Sequence, residues 1–331
     1  MSNILDQLSY VYMLNYIKRR PLDINIETIN FCPMKCVFCC NRLYARKYTV
    51  MNNTLFEKII REYVKCGGGV CGIGSMQSDF LSDPLLLQRI KILRKYRDKL
   101  WVHSTTPLIT CKKYSDKELL IILKEFSYLE ISVEGYDEES YTLMGGVNGF
   151  NIFKEQLYRV HRLICDNKLK IKVQLSFRTC NIRALKGTSF YREIRSMFEI
   201  KEVRNNFFSW FGSIKKEDLP SGAHLKSVNN LKKIKDCMVP NATFAIQPSG
   251  KVVGCGCIDW LEQYVIGDCN KNTLKEIWKS RRAYEFRHAF SRGKIPNICK
   301  ECGLYVSRED ILKNSKYLGY TSDKGIYYLI K

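Results

Sequence analysis

The sequence lacks any long apolar run: no stretch approaches the ~18 residues that a membrane-spanning helix needs. Its first residues, Met-Ser-Asn-Ile-Leu-Asp-Gln, contain no basic region followed by an apolar one, so no secretory signal is visible. Internal repeats and low-complexity tracts are also missing. A chain without an export signal is expected to be cytoplasmic and to keep its thiols reduced. Its 15 cysteines therefore indicate metal binding rather than disulfides.

Acidic residues are scarce relative to basic ones, with 33 Asp and Glu against 54 Lys and Arg, which gives a net charge of +21. Such an excess usually signals an anionic partner: nucleic acid, an acidic peptide, a phosphorylated small molecule or an acidic electron-donor protein. The lysines between positions 91 and 124 are scattered rather than packed into one run. Their spacing favours solvated helix faces, so nucleic acid is an unfavoured partner.

The sequence does contain a cysteine triplet. Cys32, Cys36 and Cys39 have the spacing C-x3-C-x2-C and directly follow residues 22–29, an apolar run typical of a strand. Iron–sulfur clusters normally take four cysteines. Three thiolates on one loop leave the fourth iron of a [4Fe-4S] cluster open, as expected of a reactive metal centre. Zinc prefers C-x2-C pairs and four ligands, and the adjacent Cys40 is badly placed to be the fourth.

Short apolar, β-branched runs alternate with amphipathic helical patterns in the first two thirds of the chain. Strands that are mostly followed by helices predict a parallel α/β sheet, with its active site at the carboxyl ends of the strands. The cysteine triplet lies at such an end. Among the helical patterns, Ser115 is a candidate cap for a helix at 116–126. The predicted strands are 22–29, 69–74, 100–105, 128–134, 169–177 and 201–210.

A second cysteine group follows residues 215–222, whose composition is typical of a linker or loop. Residues 243–254 have the pattern of a hairpin around Pro-Ser-Gly, and 273–291 have the pattern of a helix. Two cysteines enclose the hairpin, and a C-x2-C pair follows the helix; all four can converge on one zinc ion or one cubane cluster. Spacing alone leaves both open. The four candidate ligands are Cys237, Cys255, Cys299 and Cys302.

The two cysteine groups together resemble those of the radical S-adenosylmethionine (SAM) enzymes of the SPASM/twitch subgroup. Phe38, just before the last cysteine of the triplet, fits the family pattern. The sequence motifs at 246–252 and 274–278 match those found in the C-terminal domain of the family. No cysteine follows Cys302, so the shorter twitch version is the better match. The resemblance implies a partial (β/α)6 barrel, a SAM-binding [4Fe-4S] cluster and one auxiliary [4Fe-4S] cluster. The predicted domains are 1–214 (barrel), 215–310 (twitch-like auxiliary-cluster domain) and 311–331 (C-terminal tail).

The remainder of the SAM site departs from the family pattern. Members usually carry Gly-Gly-Glu-Pro after the second strand; here Asp79 takes the place of the glutamate and Phe80 that of the proline. The resemblance implies that Asp79 accepts a hydrogen bond from the SAM ammonium, with an ordinary polar loop as the alternative. It makes Ser132 a ligand of the SAM carboxylate or ribose, with Glu134 on the same strand face. Arg178, ending the fifth strand, would bind the SAM carboxylate or a substrate oxygen.

The resemblance also implies a reaction: reductive cleavage of SAM gives a 5′-deoxyadenosyl radical, which takes a hydrogen atom from a substrate C–H bond. If the auxiliary cluster accepts the remaining electron, the reaction is a dehydrogenation. If a cysteine thiol returns a hydrogen, it is an epimerisation. Cys180 and Cys257 are the candidate hydrogen donors, with small buried hydrophobic residues as the alternative reading of both. The expected electron donor is a protein of the flavodoxin or ferredoxin type.

Three substrate classes stay open. Only 31 residues precede Cys32, fewer than a leader-peptide-binding module of small-domain size requires, which favours a small molecule such as a sugar or cyclitol. A peptide is the alternative, since such a module can be a separate protein. RNA, suggested by the net charge, is the third. A zinc-stabilised interaction protein is the non-enzymatic alternative.

Overall fold

The computed structural model describes residues 18–43, 46–210, 212–226, 235–255, 259–300, 302, 305 and 307. Six strands follow one another in chain order, each pairing in parallel with the next, and the last pairing shifts register once, between Leu175 and Ser176. They form the predicted partial (β/α)6 barrel. The strands are β1 (Asp23–Ile26), β2 (Gly69–Ile73), β3 (Leu100–Thr106), β4 (Tyr128–Val133), β5 (Lys172–Arg178) and β6 (Glu199–Arg204).

Helices fill the connections between these strands. They are α1 (Asn53–Lys65), α2 (Leu86–Arg94), α3 (Asp116–Leu123), α4 (Glu138–Gly145), α5 (Phe150–Asp166), α6 (Ile182–Gly187) and α7 (Ser189–Met197). Local sequence sets where they begin. The Asn52 side chain caps α1 by accepting a hydrogen bond from the Leu55 amide at 2.7 Å. Ser115 caps α3 as predicted, and Glu118 completes a capping box with it.

The strands separate an apolar outer layer from a polar interior, because successive side chains of a strand point to opposite faces. Ile24 and Ile26 of β1 are fully buried in one cluster with Phe56 and Ile59 of α1. Each such side chain contributes about 1.5–3 kcal/mol by leaving water. The barrel interior is left to polar side chains, which line the candidate site described below.

One buried ion pair lies at the start of α2. Arg89 Nε is 2.6 Å from Asp83 Oδ2, and neither side chain has exposed surface. Asp83 Oδ1 also accepts a hydrogen bond from the Leu85 amide at 2.8 Å, and the Arg89 guanidinium donates to the Met51 carbonyl. The pair therefore fixes α2 against the segment that enters α1.

The predicted strand over 201–210 is wrong in its bounds. β6 ends at Arg204, and a separate short strand, β7 (Asn206–Phe207), pairs in parallel with β8 (His224–Leu225). The Asn205 side chain donates to the Gly222 carbonyl at 2.9 Å. That contact turns the chain away from the barrel sheet and closes the loop that contains the predicted linker.

The C-terminal region continues the barrel sheet. After α8 (Met238–Ala242), β9 (Thr243–Ile246) pairs in parallel with β1, and β10 (Lys251–Val253) and β11 (Val265–Asp268) add to it antiparallel. This confirms the predicted hairpin. The sheet has nine strands in the order β11-β10-β9-β1-β2-β3-β4-β5-β6.

The single helix predicted over 273–291 is two helices, α9 (Leu274–Lys279) and α10 (Arg281–Arg287). Ser280 between them is extended (φ −64°, ψ 153°), and its side chain accepts a hydrogen bond from the Ala283 amide at 3.2 Å. A serine that caps the second helix thus ends the first. A last short helix, α11 (Asn297–Lys300), carries Cys299.

Within the described ranges, no helix has the length and apolar character needed to cross a membrane. The predicted tail at 311–331 lies outside the described residues.

Candidate active site

The cysteine triplet lies directly after β1, on a segment that is seated against the end of α4. The Lys35 amide donates to the Gly145 carbonyl, and the Val37 amide donates to the Met144 carbonyl, each at 3.0 Å. The Cys39 amide donates back to the Cys36 carbonyl at 3.0 Å, which closes a turn between the last two cysteines. These bonds fix the path of the segment by its backbone and leave the thiols free to bind a metal.

Glycine at the end of α4 makes this seat possible. Gly146 has φ +69°, and a Cβ there would lie 2.2 Å from the Lys35 carbonyl oxygen. A Cβ on Gly145 would lie 2.7 Å from the methyl carbon of Met34. The cysteine segment therefore approaches α4 more closely than any larger residue allows.

The three thiols are close enough to influence each other's ionisation. Burial raises the pKa of Cys32 and Cys36 well above the usual range, and neighbouring carboxylates and thiolates add to the effect. Cys39 differs: a hydrogen bond from the Cys40 thiol lowers its pKa to about 7, helped by the Asn41 amide and by the charges of Arg178 and Arg46. Cys40 is thus a hydrogen-bond donor to Cys39 in this segment.

Among the residues that the structure describes, no three His, Cys, Asp or Glu side chains converge as ligands of one metal ion do. A single zinc ion needs such convergence. In a cubane cluster each cysteine binds a different iron, so the thiols need to surround the cluster without meeting at a point. Three thiols on one backbone-anchored segment fit the second requirement.

Phe38 is held beside the cysteines by aromatic neighbours. Its ring is stacked on Phe207, with centroids 4.4 Å apart and planes 10° apart, and its carbonyl accepts a hydrogen bond from Trp210 Nε1 at 2.9 Å. The Arg178 guanidinium carbon lies 6.0 Å from the Phe38 ring centroid. Phe38 and Arg178, both predicted site residues, are therefore neighbours.

Ser132, Glu134 and Arg178 form one hydrogen-bonded group at the carboxyl ends of β4 and β5. Arg178 donates to Ser132 Oγ at 2.5 Å, and Ser132 donates to Glu134 Oε1. Glu134 is 2% exposed, and its Oε2 has no hydrogen-bond partner among the described residues. Burial raises the pKa of Glu134, while Arg178 opposes the rise. A buried acceptor without a donor, beside the triplet, is a ready contact for a bound cofactor's N–H or O–H group.

Asp79 is fully buried, and protein groups occupy its carboxylate. Oδ1 accepts from Thr106 Oγ1 at 2.8 Å, and Oδ2 accepts from Thr110 Oγ1 at 2.7 Å and from Ser82 Oγ at 3.3 Å. Burial raises its pKa, and these bonds oppose the rise. The structure therefore ties Asp79 to the strand ends of the barrel. Its predicted contact with SAM stays a prediction that this geometry does not favour.

The backbone around Asp79 is oriented by a residue that sequence reasoning missed. Glu27, directly after β1, accepts hydrogen bonds from the Met76 amide at 2.9 Å and from Ser78 Oγ at 2.5 Å. Gln77 between them is 5% exposed, and its amide nitrogen has no partner among the described residues. Glu27 is the residue directly after β1, on the segment that leads to the cysteines, and that position is its only sequence signal.

Arg46 joins the cysteine segment to the C-terminal region. Its guanidinium donates to Asn41 Oδ1 at 3.0 Å, to Gln77 Oε1 at 3.1 Å and to the Trp260 carbonyl at 3.4 Å. Since Arg46 can only donate, it fixes the orientation of the Gln77 amide and leaves the Gln77 NH2 group unpaired. Arg46 was also absent from the sequence-based prediction, because nothing local in the sequence marks these contacts.

Below the cysteine segment, the barrel interior is polar and charged. Glu130 Oε2 lies 2.6 Å from Lys201 Nζ, and Oε1 lies 3.7 Å from Arg178. Burial alone would raise the pKa of Glu130, but these two cations hold it at about 2. Burial, helped by Lys201, lowers the pKa of His103 to about 4. A Cβ on Gly72 would lie 2.2 Å from Asn25 Oδ1 and 2.9 Å from His103 Nε2, so only glycine fits between these side chains.

The second cysteine group lies in and around the C-terminal hairpin. Cys237 packs with Phe290 in a small apolar cluster, and Cys299 packs against both that cluster and the main core, which contains Cys255 and Cys302. The Cys302 amide donates to the Cys299 carbonyl at 3.3 Å. Four thiols in apolar surroundings form a donor set suited to an iron–sulfur cluster.

The two predicted hydrogen donors have different outcomes. Cys180 is half-buried and packs in a cluster with Phe207 and Trp210, the residues that contact Phe38. It is therefore one layer of side chains from the site. Cys257 lies outside the described residues. Cys71 and Cys111 are buried in the core, as expected of small hydrophobic residues.

Two family models match the chain. One, described as the radical SAM superfamily, matches residues 26–175, and the other, described as the SPASM iron–sulfur cluster-binding domain, matches residues 237–303. Each model covers one of the two cysteine groups. The chain belongs to the radical SAM superfamily and carries a SPASM-type auxiliary-cluster domain.

Solved structures show the same fold. BtrN in complex with AdoMet and 2-DOIA aligns with a TM-score of 0.59 and 15% identity, over 87% of this chain and 95% of that one. The structure of anSMEcpe with bound AdoMet aligns with a TM-score of 0.56 and 14% identity, over 93% of this chain and 97% of that one. The structure of SuiB of Streptococcus suis bound to S-adenosylmethionine aligns with a TM-score of 0.51 and 14% identity, over 89% of this chain and 75% of that one. At these identities the likeness is one of fold alone. No curated protein matches the chain.

The fold and the cysteine groups therefore define a radical SAM enzyme. Its cofactors are SAM, the [4Fe-4S] cluster that binds SAM, and an auxiliary iron–sulfur cluster in the C-terminal domain. Cys32, Cys36 and Cys39 fit the first cluster by their donor chemistry and their shared segment.

Proposed function

We propose that the enzyme abstracts hydrogen from a small polyhydroxylated molecule, of the sugar or cyclitol kind, and that the product is a dehydrogenated or an epimerised compound. The observation that carries this proposal is the barrel interior. Glu130, Lys201 and Arg178 are charged groups that face one another inside the barrel, beneath the cysteine segment. Groups of this kind orient hydroxyl substituents by donating and accepting hydrogen bonds.

When bound, SAM and its cluster supply the 5′-deoxyadenosyl radical that removes the hydrogen atom. The chain's own residues supply the setting. Cys32, Cys36 and Cys39 would hold the cluster, and the carboxylate of Glu134 would accept an N–H or O–H of SAM through its unpaired oxygen. Arg178 holds Ser132 in place for the same ligand. Apolar neighbours, among them the stacked Phe38 and Phe207, keep water from that end of the barrel.

The four C-terminal cysteines would hold the auxiliary cluster. Arg46 supports a substrate position between the two cysteine groups, because it contacts Asn41 near the first group and the Trp260 carbonyl near the second. Gln77 and Gln247 each carry a buried amide nitrogen without a partner among the described residues. Buried donors of this kind favour a ligand rich in acceptor oxygens.

A peptide is the second candidate substrate. SuiB has been crystallised bound to the precursor peptide SuiA, and anSMEcpe with the Cp18Cys peptide, whereas BtrN was crystallised with 2-DOIA. The fold thus occurs in proteins that bind either class. The charged interior of this barrel favours the small polar substrate. An electron donor of the flavodoxin or ferredoxin type completes the proposal.

Deuterium transfer tests the substrate class. The reconstituted enzyme is incubated anaerobically with dithionite, SAM and perdeuterated sugars, cyclitols or short peptides, and deuterium in 5′-deoxyadenosine is measured by mass spectrometry. We expect deuterium transfer from a sugar or cyclitol. In Lys201→Met the KM for that substrate should rise at least about tenfold, because the variant lacks a charged hydrogen-bond donor. Transfer from peptides alone would contradict the proposal.

Solvent isotope incorporation separates dehydrogenation from epimerisation. If Cys180 or Cys257 returns the hydrogen, its Cys→Ala variant forms 5′-deoxyadenosine but no deuterated epimer in D2O. Cys66→Ala serves as the control, since Cys66 follows α1 at the far end of the barrel from the site. An oxidised product without solvent deuterium, unchanged in all three variants, would assign dehydrogenation instead.

A further inference from the structure

The C-terminal region contains a strongly basic segment. Residues 271–300 contain nine Lys and Arg against two Glu, so these thirty residues carry +7 of the net +21. Most of the basic side chains in 271–300 are exposed. The exposed ones are Lys271, Lys275, Lys279, Arg281, Arg282, Arg292, Lys294 and Lys300.

These charges remain largely unneutralised by acidic neighbours. Arg281 pairs with Glu285 at 2.8 Å, and that pair is mostly exposed. Lys279 and Arg282 form no ion pair among the described residues, and Lys294 acts on Glu285 only through its charge, without an ion-pair contact. Unpaired like charges on one surface repel each other and are stabilised by an anionic partner. Residues 279–294 form this surface, the basic surface.

An aromatic side chain stands in the middle of the basic surface. Tyr284 is 50% exposed, one of the few large hydrophobic side chains with that much exposure in the described part of the chain. The Arg292 guanidinium carbon lies 5.7 Å from its ring centroid. Exposed aromatic residues with a basic rim are typical of protein interfaces, where the aromatic side chain is buried and the charges steer the approach.

A continuous set of contacts leads from the basic surface to the auxiliary-cluster cysteines. The Tyr284 and His288 ring centroids are 4.4 Å apart, and His288 Nδ1 lies 2.8 Å from Asp236 Oδ2. Ser291 holds the same carboxylate through its amide at 2.9 Å and its hydroxyl at 3.0 Å. Asp236 is bonded to Cys237. The exposed ring is therefore separated from a candidate cluster ligand by two packed side chains.

We propose that the basic surface docks an acidic one-electron carrier protein, of the flavodoxin or ferredoxin type, next to the auxiliary-cluster site. Charge complementarity selects the acidic partner, and the contacts from Tyr284 to Asp236 place it beside Cys237. The assignment rests on the proposed auxiliary-cluster site at the four C-terminal cysteines but not on the identity of the substrate. Nucleic acid is the competing ligand of a basic surface with an exposed aromatic side chain.

The test compares two triple variants with equal change in charge. The first is Lys279→Glu/Arg282→Glu/Lys294→Glu on the basic surface. The control is Lys91→Glu/Lys117→Glu/Lys186→Glu, three exposed lysines of the barrel. Binding of purified flavodoxin and of purified ferredoxin to the reconstituted enzyme is measured by anaerobic calorimetry at low and high salt, without substrate. Iron content and dithionite-driven SAM cleavage are measured for every variant.

We expect the wild-type enzyme to bind one carrier with a Kd that rises steeply with salt, and the first variant to bind at least about tenfold more weakly. The control should keep the wild-type Kd. Iron content and dithionite-driven SAM cleavage should be unchanged in both. If the charge-reversed variant loses iron, Lys279→Gln/Arg282→Gln/Lys294→Gln replaces it, with several-fold weaker binding expected.

Two results would overturn the docking surface. Equal weakening in the control variant would show that net charge alone governs binding. Binding of bulk tRNA in a mobility shift that the first variant abolishes, without carrier binding, would assign the surface to nucleic acid. Because no substrate is present, a wrong substrate class would leave these measurements unaffected, so the two proposals fail separately.

Discussion

Arg89 and Asp83 are charged residues with no exposed surface, 2.6 Å apart. Burial lowers the pKa of Arg89, and Asp83 opposes that effect. Each charge is tolerated only because the other is present. Removal of either partner therefore leaves the other buried charge without compensation.

Asp83→Ala should lower the free energy of unfolding by about 3–5 kcal/mol, because Arg89 would remain buried without its partner. The exposed pair Lys95–Glu57, at 2.8 Å, provides the control. Glu57→Ala should cost less than about 1 kcal/mol, since water screens that pair. Anaerobic thermal unfolding followed by circular dichroism compares the two variants. Equal losses would contradict the assignment.

His103 makes stability depend on pH. Burial lowers its pKa to about 4 in the folded protein, against about 6.5 in the unfolded chain. Between these values the unfolded chain binds more protons, so stability falls as the pH falls. From pH 7 to pH 5.5, the loss due to His103 should be about 1 kcal/mol. His103→Gln should lose that much less than wild type over the same interval, measured by the shift in Tm. An equal fall in Tm in both proteins would show that His103 does not cause this pH dependence of stability.

Single residues also show where sequence reasoning stops. The cysteine spacing indicated Cys32, Cys36 and Cys39 as candidate ligands of one cluster, because the three lie close together in the chain. Asp79 was matched to a family position, yet its partners Thr106 and Thr110 lie 27 and 31 residues away. Arg46 contacts Trp260, 214 residues away. Such contacts depend on the folded arrangement of strand ends, which spacing does not encode.

At the scale of elements, the end of α4 controls the cysteine segment. Gly146 has a positive φ, and its Cα faces the Lys35 carbonyl so closely that a Cβ would lie 2.2 Å from it. A side chain there must displace the segment that carries the three thiols. The helix end and the cluster site are therefore one structural unit.

Gly146→Ala should reduce iron incorporation at the SAM-cluster site severalfold, because strain at φ +69° and the clash with Lys35 both move the segment. Gly187→Ala is the matched control, since a Cβ there meets nothing within 4 Å. Iron per chain after reconstitution and the rate of SAM cleavage are the measurements. Normal iron content in Gly146→Ala would show that the segment tolerates the shift.

Elements were otherwise predicted well where period and capping agree. The barrel strands and helices follow apolar patterns typical of a parallel α/β fold, and Ser115 marked the start of α3. The helix over 273–291 was predicted as continuous because its apolar period persists across Ser280. The structure breaks it there because the serine side chain binds the next turn, a local competition that periodicity does not register.

At the scale of the whole molecule, the two cysteine groups predict how much iron each half holds. Reconstituted wild type should contain about eight irons per chain, for two cubane clusters. Cys32→Ala/Cys36→Ala/Cys39→Ala and Cys299→Ala/Cys302→Ala should each retain about four, and only the first should lose all SAM cleavage. Cys40→Ala should keep both clusters, since a cysteine adjacent to Cys39 is badly placed to bind the same cluster. Zinc in place of iron would contradict both assignments.

The continuous nine-stranded sheet has a consequence for how the chain is made. β1 pairs with β2 at Val70 but also with β9 at Thr243, 220 residues beyond Asp23. While the ribosome is still translating the C-terminal third, β1 has an open hydrogen-bonding edge beside the cysteine segment. A chain cut at residue 214, the predicted domain boundary, would keep that edge permanently and should aggregate. Maturation of the first cluster is therefore expected to wait until translation has delivered the strand that covers β1.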